Sequence, residues 1–507
     1  MNILKRNQTA LNLITGIGSL VMNLAVSFVL SSYIVKTIGE EANGFAQLAN
    51  NFVLYASLLT VAFNSMAARF ISLAYHNKEK TKVRQYYSSV ILCNIVITGC
   101  LIPCTYFVVS NLENIVNIEN ANVIHVKILF ACVFVNFFLT LFSSIFEICT
   151  FVLNKLYLKN VINAFRSILN AILLISTFSL FKPRIFYISV VALVLSIGIL
   201  ILMLCVKNRI MPELKFEPRC FKLWILKELF FSGIWNVVNQ GGHLLMTGMD
   251  LLLSNIFVTP AMMGILSVAK TVPNAIFNLA GTINANFAPD LMITYSQNRK
   301  VELLNQLRSS MKISSILVSI PLVTFCSFGF DFYQLWMPTL DAKLLTILSF
   351  LTCMSFIPWA GPQALYNVFT TANKLKVNSI AFLCTGVLNI ILVFWFLKFT
   401  NLGILAVAGV SSTLAIIRNL VITVPYTAKL LNLKWYVFYK DVLISLICCG
   451  ICWAICIAVG KIIVIANWLT LAIAVLISCI IVLIIDVFVI LNKNEKKIVI
   501  QKILRRK

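Results

Sequence analysis

The sequence predicts an all-α polytopic membrane protein, and three observations carry that prediction. Hydrophobic residues make up 60% of the 507, charged residues 11%, and the mean hydropathy is +0.95, which leaves too little polar surface to clothe soluble domains. Apolar segments of the roughly 20 residues that a bilayer crossing needs recur about fourteen times. The lysines and arginines, 41 against 17 acidic residues, stand in short clusters between those segments, as they do where cytoplasmic loops fix orientation. The net charge of +24 therefore reports topology, and no nucleic-acid partner is expected.

The first predicted span, 11–35, brings Asn12, Gly16, Ser19, Asn23 and Ser27 to one face at helical spacing. The second, 44–70, does the same with Gln47, Asn51 and Tyr55, and closes on Arg69 before a basic loop of Lys78, Lys80, Lys82 and Arg84. Spans 87–109 and 126–150 flank an outer loop, 111–122, that carries Glu113 and Glu119 and no base. The next pair is 161–181, with Arg166 at its inner start, and 185–206. Lys207 to Lys227 follows, a basic segment with Phe216, Phe221, Trp224 and Ile225 that reads as amphipathic and surface-lying.

The seventh span, 229–256, spaces Asn236, Gln240, His243, Thr247 and Asp250 by four, three, four and three, so they share a face. The eighth, 261–288, holds Ser267, Lys270, Thr271, Asn274, Asn278 and Thr282. Spans 310–329, 344–370, 377–397 and 402–424 complete a second set of six, the last with Arg418 in its inner third. Two more, 441–460 and 467–491, precede a basic tail from Lys493 to Lys507. The basic clusters place both termini in the cytoplasm. The first span runs on without a small-residue cleavage site, so no cleaved leader is expected.

An internal repeat organises these spans. Shifted by 220 positions, 44–89 falls on 264–309 without gaps, with identities at Gly44/Gly264, Ala49/Ala269, Leu59/Leu279, Asn64/Asn284, Ala68/Ala288, Tyr75/Tyr295, Lys80/Lys300 and Ser89/Ser309. Both stretches cover the second span of a six-span half and end in a basic loop, which is the parallel kind of repeat. The expected division is a lobe over 1–208, a second over 209–440 that begins with the amphipathic linker 209–228, and two further helices with the tail over 441–507.

The run Gly39-Glu-Glu-Ala-Asn-Gly-Phe-Ala-Gln-Leu-Ala-Asn-Asn-Phe52, followed by Asn64-Ser-Met-Ala-Ala-Arg-Phe70 and the basic loop, resembles the amino-terminal region of bacterial polysaccharide flippases. These are the O-antigen and capsule translocases of the multidrug/oligosaccharidyl-lipid/polysaccharide exporter (MOP) superfamily. The resemblance implies two six-helix lobes around a central cavity that opens alternately to either side of the bacterial cytoplasmic membrane. It further implies an undecaprenyl-diphosphate-linked oligosaccharide as substrate, with a polysaccharide polymerase and chain-length machinery as partners. A cation-coupled multidrug exporter of the same superfamily and a lipid II flippase are the alternatives. No Asp or Glu lies within the first three spans, where drug exporters typically place a coupling carboxylate.

The residues themselves suit an anionic lipid-linked glycan, which needs cations, neutral hydrogen-bonding groups and an opening to lipid. Lys270 is the one charge between Asp250 and Asp290, and an ammonium at mid-membrane costs roughly 2.5–3.5 kcal/mol on insertion scales, so it faces a polar cavity or a partner. The candidate substrate-binding residues are Lys270, Asp250, His243, Asn236, Gln240, Asn274, Asn278, Asn51, Arg69, Arg166 and Arg418. Each has a plainer reading. Lys270 pairs with Asp250, the amides bond to neighbouring helices, Arg69 and Lys127 snorkel to the interface, and His243 is a satisfied structural histidine.

Glu147 and Asp486 are acidic groups within spans that suit a coupling proton or sodium ion, or a nearby base. No other cofactor is expected. Cys448, Cys449, Cys452 and Cys456 cluster without a histidine nearby, and read as small packing hydrophobes. The sequence holds no glycine-rich phosphate loop, H-E-x-x-H or G-x-S-x-G, so nothing points to an ATPase, a metalloprotease or a nucleophile-elbow hydrolase.

Overall fold

The computed structural model describes residues 2–297, 299–356, 361–372 and 374–491. The basic tail from Lys493 lies outside them. Among the described residues there is no strand. In chain order the α-helices are α1 (Asn2–Ile38), α2 (Glu40–His76), α3 (Lys80–Ser110), the short α4 (Leu112–Ile115), α5 (Val123–Val152), α6 (Leu156–Leu180), α7 (Tyr187–Ile210), α8 (Leu223–His243), α9 (Asp250–Phe257) and α10 (Pro260–Ala269). They continue as α11 (Thr271–Ala285), α12 (Ala288–Ser296), α13 (Lys300–Trp336), α14 (Ala342–Cys353), α15 (Tyr366–Thr371), α16 (Leu375–Phe399), α17 (Ile404–Arg418), α18 (Val424–Leu430), α19 (Tyr439–Ile462) and α20 (Trp468–Ile490).

Eleven helical stretches among the described residues are long and apolar enough to cross a membrane. They match eleven of the fourteen predicted spans. One of the eleven, Ile404–Leu430, contains a π-helical turn at Asn419–Thr423, and the other three predicted spans are broken into shorter helices. Span 229–256 is α8 and α9 joined by a π-helical turn, Leu244–Gly248; span 261–288 is α10 and α11 meeting at Lys270; and span 344–370 is α14, then a 3₁₀ turn at Pro362–Leu365 and α15, with 357–360 outside the described residues. The chain is a multi-pass membrane protein whose breaks are concentrated in particular segments.

Element boundaries recur at the predicted offset. α2 runs from Glu40 to His76 while α10 starts at Pro260 and α12 ends at Ser296, and α3 starts at Lys80 while α13 starts at Lys300. α6 and α16 are both 25 residues long. A buried polar link recurs as well. The Asn94 amide donates to Asn64 Oδ1 at 3.0 Å, and at the equivalent positions the Ser314 hydroxyl donates to Asn284 Oδ1 at 2.8 Å.

Residues 1–267 and 268–507 form two compact units. In the first, α2 packs against α3, α5 and α8. The approach of α8 depends on Gly233, where a Cβ would stand 2.0 Å from the Ala62 carbonyl oxygen. The linker after α7 folds onto the ends of α2 and α3. Its Met211 and Leu214 join Ile225 and Leu229 in a core with Ile71, Val83, Tyr87 and Val90, while Leu223 and Trp224 stay exposed. Ion pairs Lys80–Glu213 at 3.7 Å and Arg84–Glu217 at 3.2 Å fasten it. In the second unit α13 packs against α19 and α20.

Candidate functional site

The break at Lys270 has a covalent cause. In an unbroken helix the Ala269 carbonyl would accept the amide N–H of residue 273, but that residue is Pro273, which has none. The orphaned oxygen is taken by two hydroxyls of the same unit, Ser349 at 2.8 Å and Tyr333 at 3.3 Å. Both donors are fully buried, so the bend is built into the packing. Lys270 occupies the turn itself, 8% exposed, and its carbonyl accepts the Asn274 N–H as α11 begins. Its equivalent in the first copy of the repeat is Asn50, which is exposed and lies inside the unbroken α2.

Below the bend, α11 presents two different faces. Val272, Pro273, Ile276, Ala280 and Asn284 are buried, whereas Asn274, Asn278 and Asn286 are exposed and Thr282 is half-buried. Positions 274, 278, 282 and 286 are spaced by four, so they form one stripe. Carboxamides gain nothing from hydrocarbon, where an unsatisfied amide costs on the order of 4–8 kcal/mol. Such a stripe suits the border of a hydrated path.

In the first unit the π turn organises the second group of predicted residues. It leaves the Gly248 carbonyl facing α2, where Asn51 donates to it at 2.9 Å and Tyr55 at 2.6 Å. A π turn also inserts extra residues into the helical register, so the stripe read across 236–250 does not stay on one face. Asn236, Gln240 and His243 are half-buried, Thr247 is exposed, and Asp250 is 2% exposed. The Thr247 hydroxyl lies 3.4 Å from His243 Nδ1 and donates to the His243 carbonyl at 3.0 Å. Asn236 donates to Ser65 at 3.4 Å. Beside Ser65 on the exposed face of α2 stands Arg69, which makes no ion pair among the described residues.

Two other candidate bases have protein partners. Arg166 donates to Ser196 of α7 at 2.8 Å. Arg418 is 5% exposed, lies over the Phe382 ring at 3.5 Å and donates to Asn419 at 3.3 Å. Lys127 pairs with Glu113 at 3.1 Å and Glu147 with Lys159 at 2.8 Å. The polar face of α1 turns to α6: Asn12 bonds to Asn154 at 3.0 Å and accepts from the Tyr157 N–H at 2.9 Å, and Asn23 accepts from Ser167. That stripe is an interhelical seam.

Sequence reading missed three contributors: Pro273, Tyr333 and Ser349. The first was legible, since a proline within an apolar span frees the carbonyl four residues before it. The two hydroxyls that take that carbonyl lie 64 and 80 residues away, and no local pattern marks them.

Comparison with known proteins bears on the fold. No family model matches the chain. It is 26% identical over 463 residues to an uncharacterized membrane protein of Bacillus subtilis, EpsK, covering 90% of both chains. Among solved structures, the lipid II flippase MurJ in an inward closed conformation superposes with a TM-score of 0.69 at 17% identity, covering 94% of this chain and 98% of that one. An inward-facing multidrug resistance MATE transporter of the MOP superfamily gives 0.65 at 11% identity, with 83% and 98% covered.

Proposed function

From the MOP-type transporter fold that these superpositions show, we propose that the chain moves a polyprenyl-diphosphate-linked glycan across the bacterial cytoplasmic membrane by alternating access. The observation that carries the proposal is the α10–α11 bend: a buried lysine in the middle of a span, at a proline-fixed break, above an exposed stripe of asparagines on α11. Discontinuous helices at mid-membrane are where transporters build substrate sites, because freed backbone and polar groups there can meet a ligand. The ammonium suits a diphosphate, and the carboxamides suit sugar hydroxyls.

In this reading the lobes are 1–208 and 209–440, the helices of 441–507 are an addition, and both termini are cytoplasmic. Arg69, exposed near the inner end of α2, is the better candidate for first contact with phosphate. Arg166 and Arg418 serve the scaffold that holds the path. Transport is driven by a proton or sodium gradient, by membrane potential, or by consumption of the glycan on the far side. The MurJ likeness favours a lipid-linked cargo over a soluble cation, which a buried lysine would repel.

Deleting the gene and assaying lipid-linked glycan by leaflet tests the proposal. Accumulation on the cytoplasmic face with lost surface display is the expected result. Unchanged glycan display together with altered drug susceptibility would favour the multidrug-exporter reading.

A further inference from the structure

Outside the proposed path, α13, α19 and α20 converge on a polar cluster inside an apolar core. Asp486 of α20 is 0% exposed, in a core formed by Ile316, Phe328, Leu471, Ala474 and Val482. Its two oxygens are used differently. Oδ2 accepts from the Ser319 hydroxyl of α13, while Oδ1 accepts from the Cys448 thiol at 2.9 Å and the Cys452 thiol at 3.7 Å. Both cysteines are 0% exposed. They sit one turn apart on α19, so their sulfurs reach the same carboxylate oxygen.

Packing explains Cys449 and Cys456 but not this arrangement. A carboxylate in an apolar interior costs several kcal/mol unless it is paired or coordinates a metal, and among the described residues Asp486 forms no ion pair. Thiols are weak donors. As metal ligands the same three groups are strong ones. The two sulfurs and the carboxylate oxygen all lie within 4.8 Å of one another. A tetrahedral zinc with S–Zn bonds of about 2.3 Å holds its sulfurs roughly 3.8 Å apart.

We propose that Cys448, Cys452 and Asp486 form a binding site for a thiophilic divalent cation of the zinc class. Two thiolates exclude calcium and magnesium, which take oxygen ligands. Binding breaks two S–H bonds, forms two metal–sulfur bonds and one metal–oxygen bond, and releases two protons to solvent. No electron is transferred. The site carries a charge of −1 before the exchange, from the carboxylate, and −1 after it, so the exchange adds no net charge to the buried core. Ser319 keeps Oδ1 turned toward the sulfurs through its bond to Oδ2, the role that outer partners of metal ligands fill. The ion ties α19 to α20, and Ser319 ties both to α13. This inference does not depend on the transport proposal.

The test uses the full-length protein in nanodiscs. Metal content is measured by plasma mass spectrometry, and Cd²⁺ is titrated into chelator-treated protein while sulfur-to-cadmium charge transfer is followed in the near ultraviolet. About one equivalent is expected for the native protein, with the band saturating at that ratio. Cys448→Ser and Asp486→Asn should lose both signals, and Cys449→Ser should keep them. Asp486→Asn preserves the side-chain shape, and its size-exclusion profile reports folding. A native protein without metal and without the cadmium band overturns the proposal. So does a band that survives unchanged in both Cys448→Ser and Asp486→Asn.

Discussion

Gly44 and Gly264 pack backbone to backbone. A Cβ on Gly44 would stand 2.9 Å from the Gly264 Cα, and one on Gly264 would stand 2.4 Å from the Glu40 carbonyl oxygen. The two glycines are equivalents in the 220-residue repeat, so α2 meets α10, its own counterpart, at the matching position. The neighbouring contact is a hydrogen bond from Asn43 to Ser267 at 2.7 Å. Such close approach is how membrane helices associate where the hydrophobic effect cannot drive them together.

Gly264→Val should therefore destabilise the protein by about 1–3 kcal/mol or more through overpacking, as should Gly233→Val at the Ala62 contact. Gly241→Ala, where a Cβ meets nothing within 4 Å, should not. Thermal unfolding of detergent-solubilised protein followed by size exclusion distinguishes them. Equal melting temperatures for Gly264→Val and Gly241→Ala would remove the contact from the account.

The repeated polar link predicts matching energetics. Double-mutant cycles on Asn64–Asn94 and on Asn284–Ser314 should each give a coupling of roughly 0.6 kcal/mol, the average for interhelical hydrogen bonds in membranes. Coupling at one pair and none at the other would mean that the repeat preserves boundaries without preserving interactions.

Pro273→Ala supplies the N–H that the Ala269 carbonyl lacks. Stability should hold or rise, since a helical bond is restored, while glycan display should fall because the bend at Lys270 relaxes. Ser349→Ala, which leaves the carbonyl to Tyr333 alone, should lose stability instead. Unimpaired display with Pro273→Ala would show the bend to be incidental.

Cys220, in the linker, offers a chemical probe of its docking. The Glu217 carboxylate bonds to the thiol at 3.3 Å and holds its pKa above the ordinary value. A raised pKa means less thiolate at a given pH, and thiolate is the species that reacts. Maleimide labelling at pH 8 should therefore quicken in Glu217→Gln. An unchanged rate would show that Glu217 does not govern the thiol.

Composition and periodicity located the eleven helical stretches that are long and apolar enough to cross a membrane, because burial in lipid demands long runs that no other feature mimics. They did not show where helices break. The break at Lys270 was written in Pro273, whereas the π turn at 244–248, whose Gly248 carbonyl accepts from Asn51 and Tyr55, was not read from the local sequence. Polar stripes were ambiguous for a physical reason: an amide on a helix face looks the same whether it meets water or another amide. On α11 the stripe is exposed, on α1 it is spent on Asn154 and Ser167, and Arg418 is stacked on Phe382. Only the three-dimensional neighbours decide.

Lys270 is proposed to engage the diphosphate of a lipid-linked glycan during translocation. Proteoliposomes containing the purified protein and a fluorescent polyprenyl-diphosphate sugar, quenched by membrane-impermeant dithionite, measure leaflet exchange directly. Charged hydrogen bonds are worth about 1.5–3 kcal/mol, so Lys270→Ala should slow exchange roughly tenfold or more at equal reconstitution, and Lys270→Arg should retain most of the native rate. Native exchange by Lys270→Ala would contradict the account.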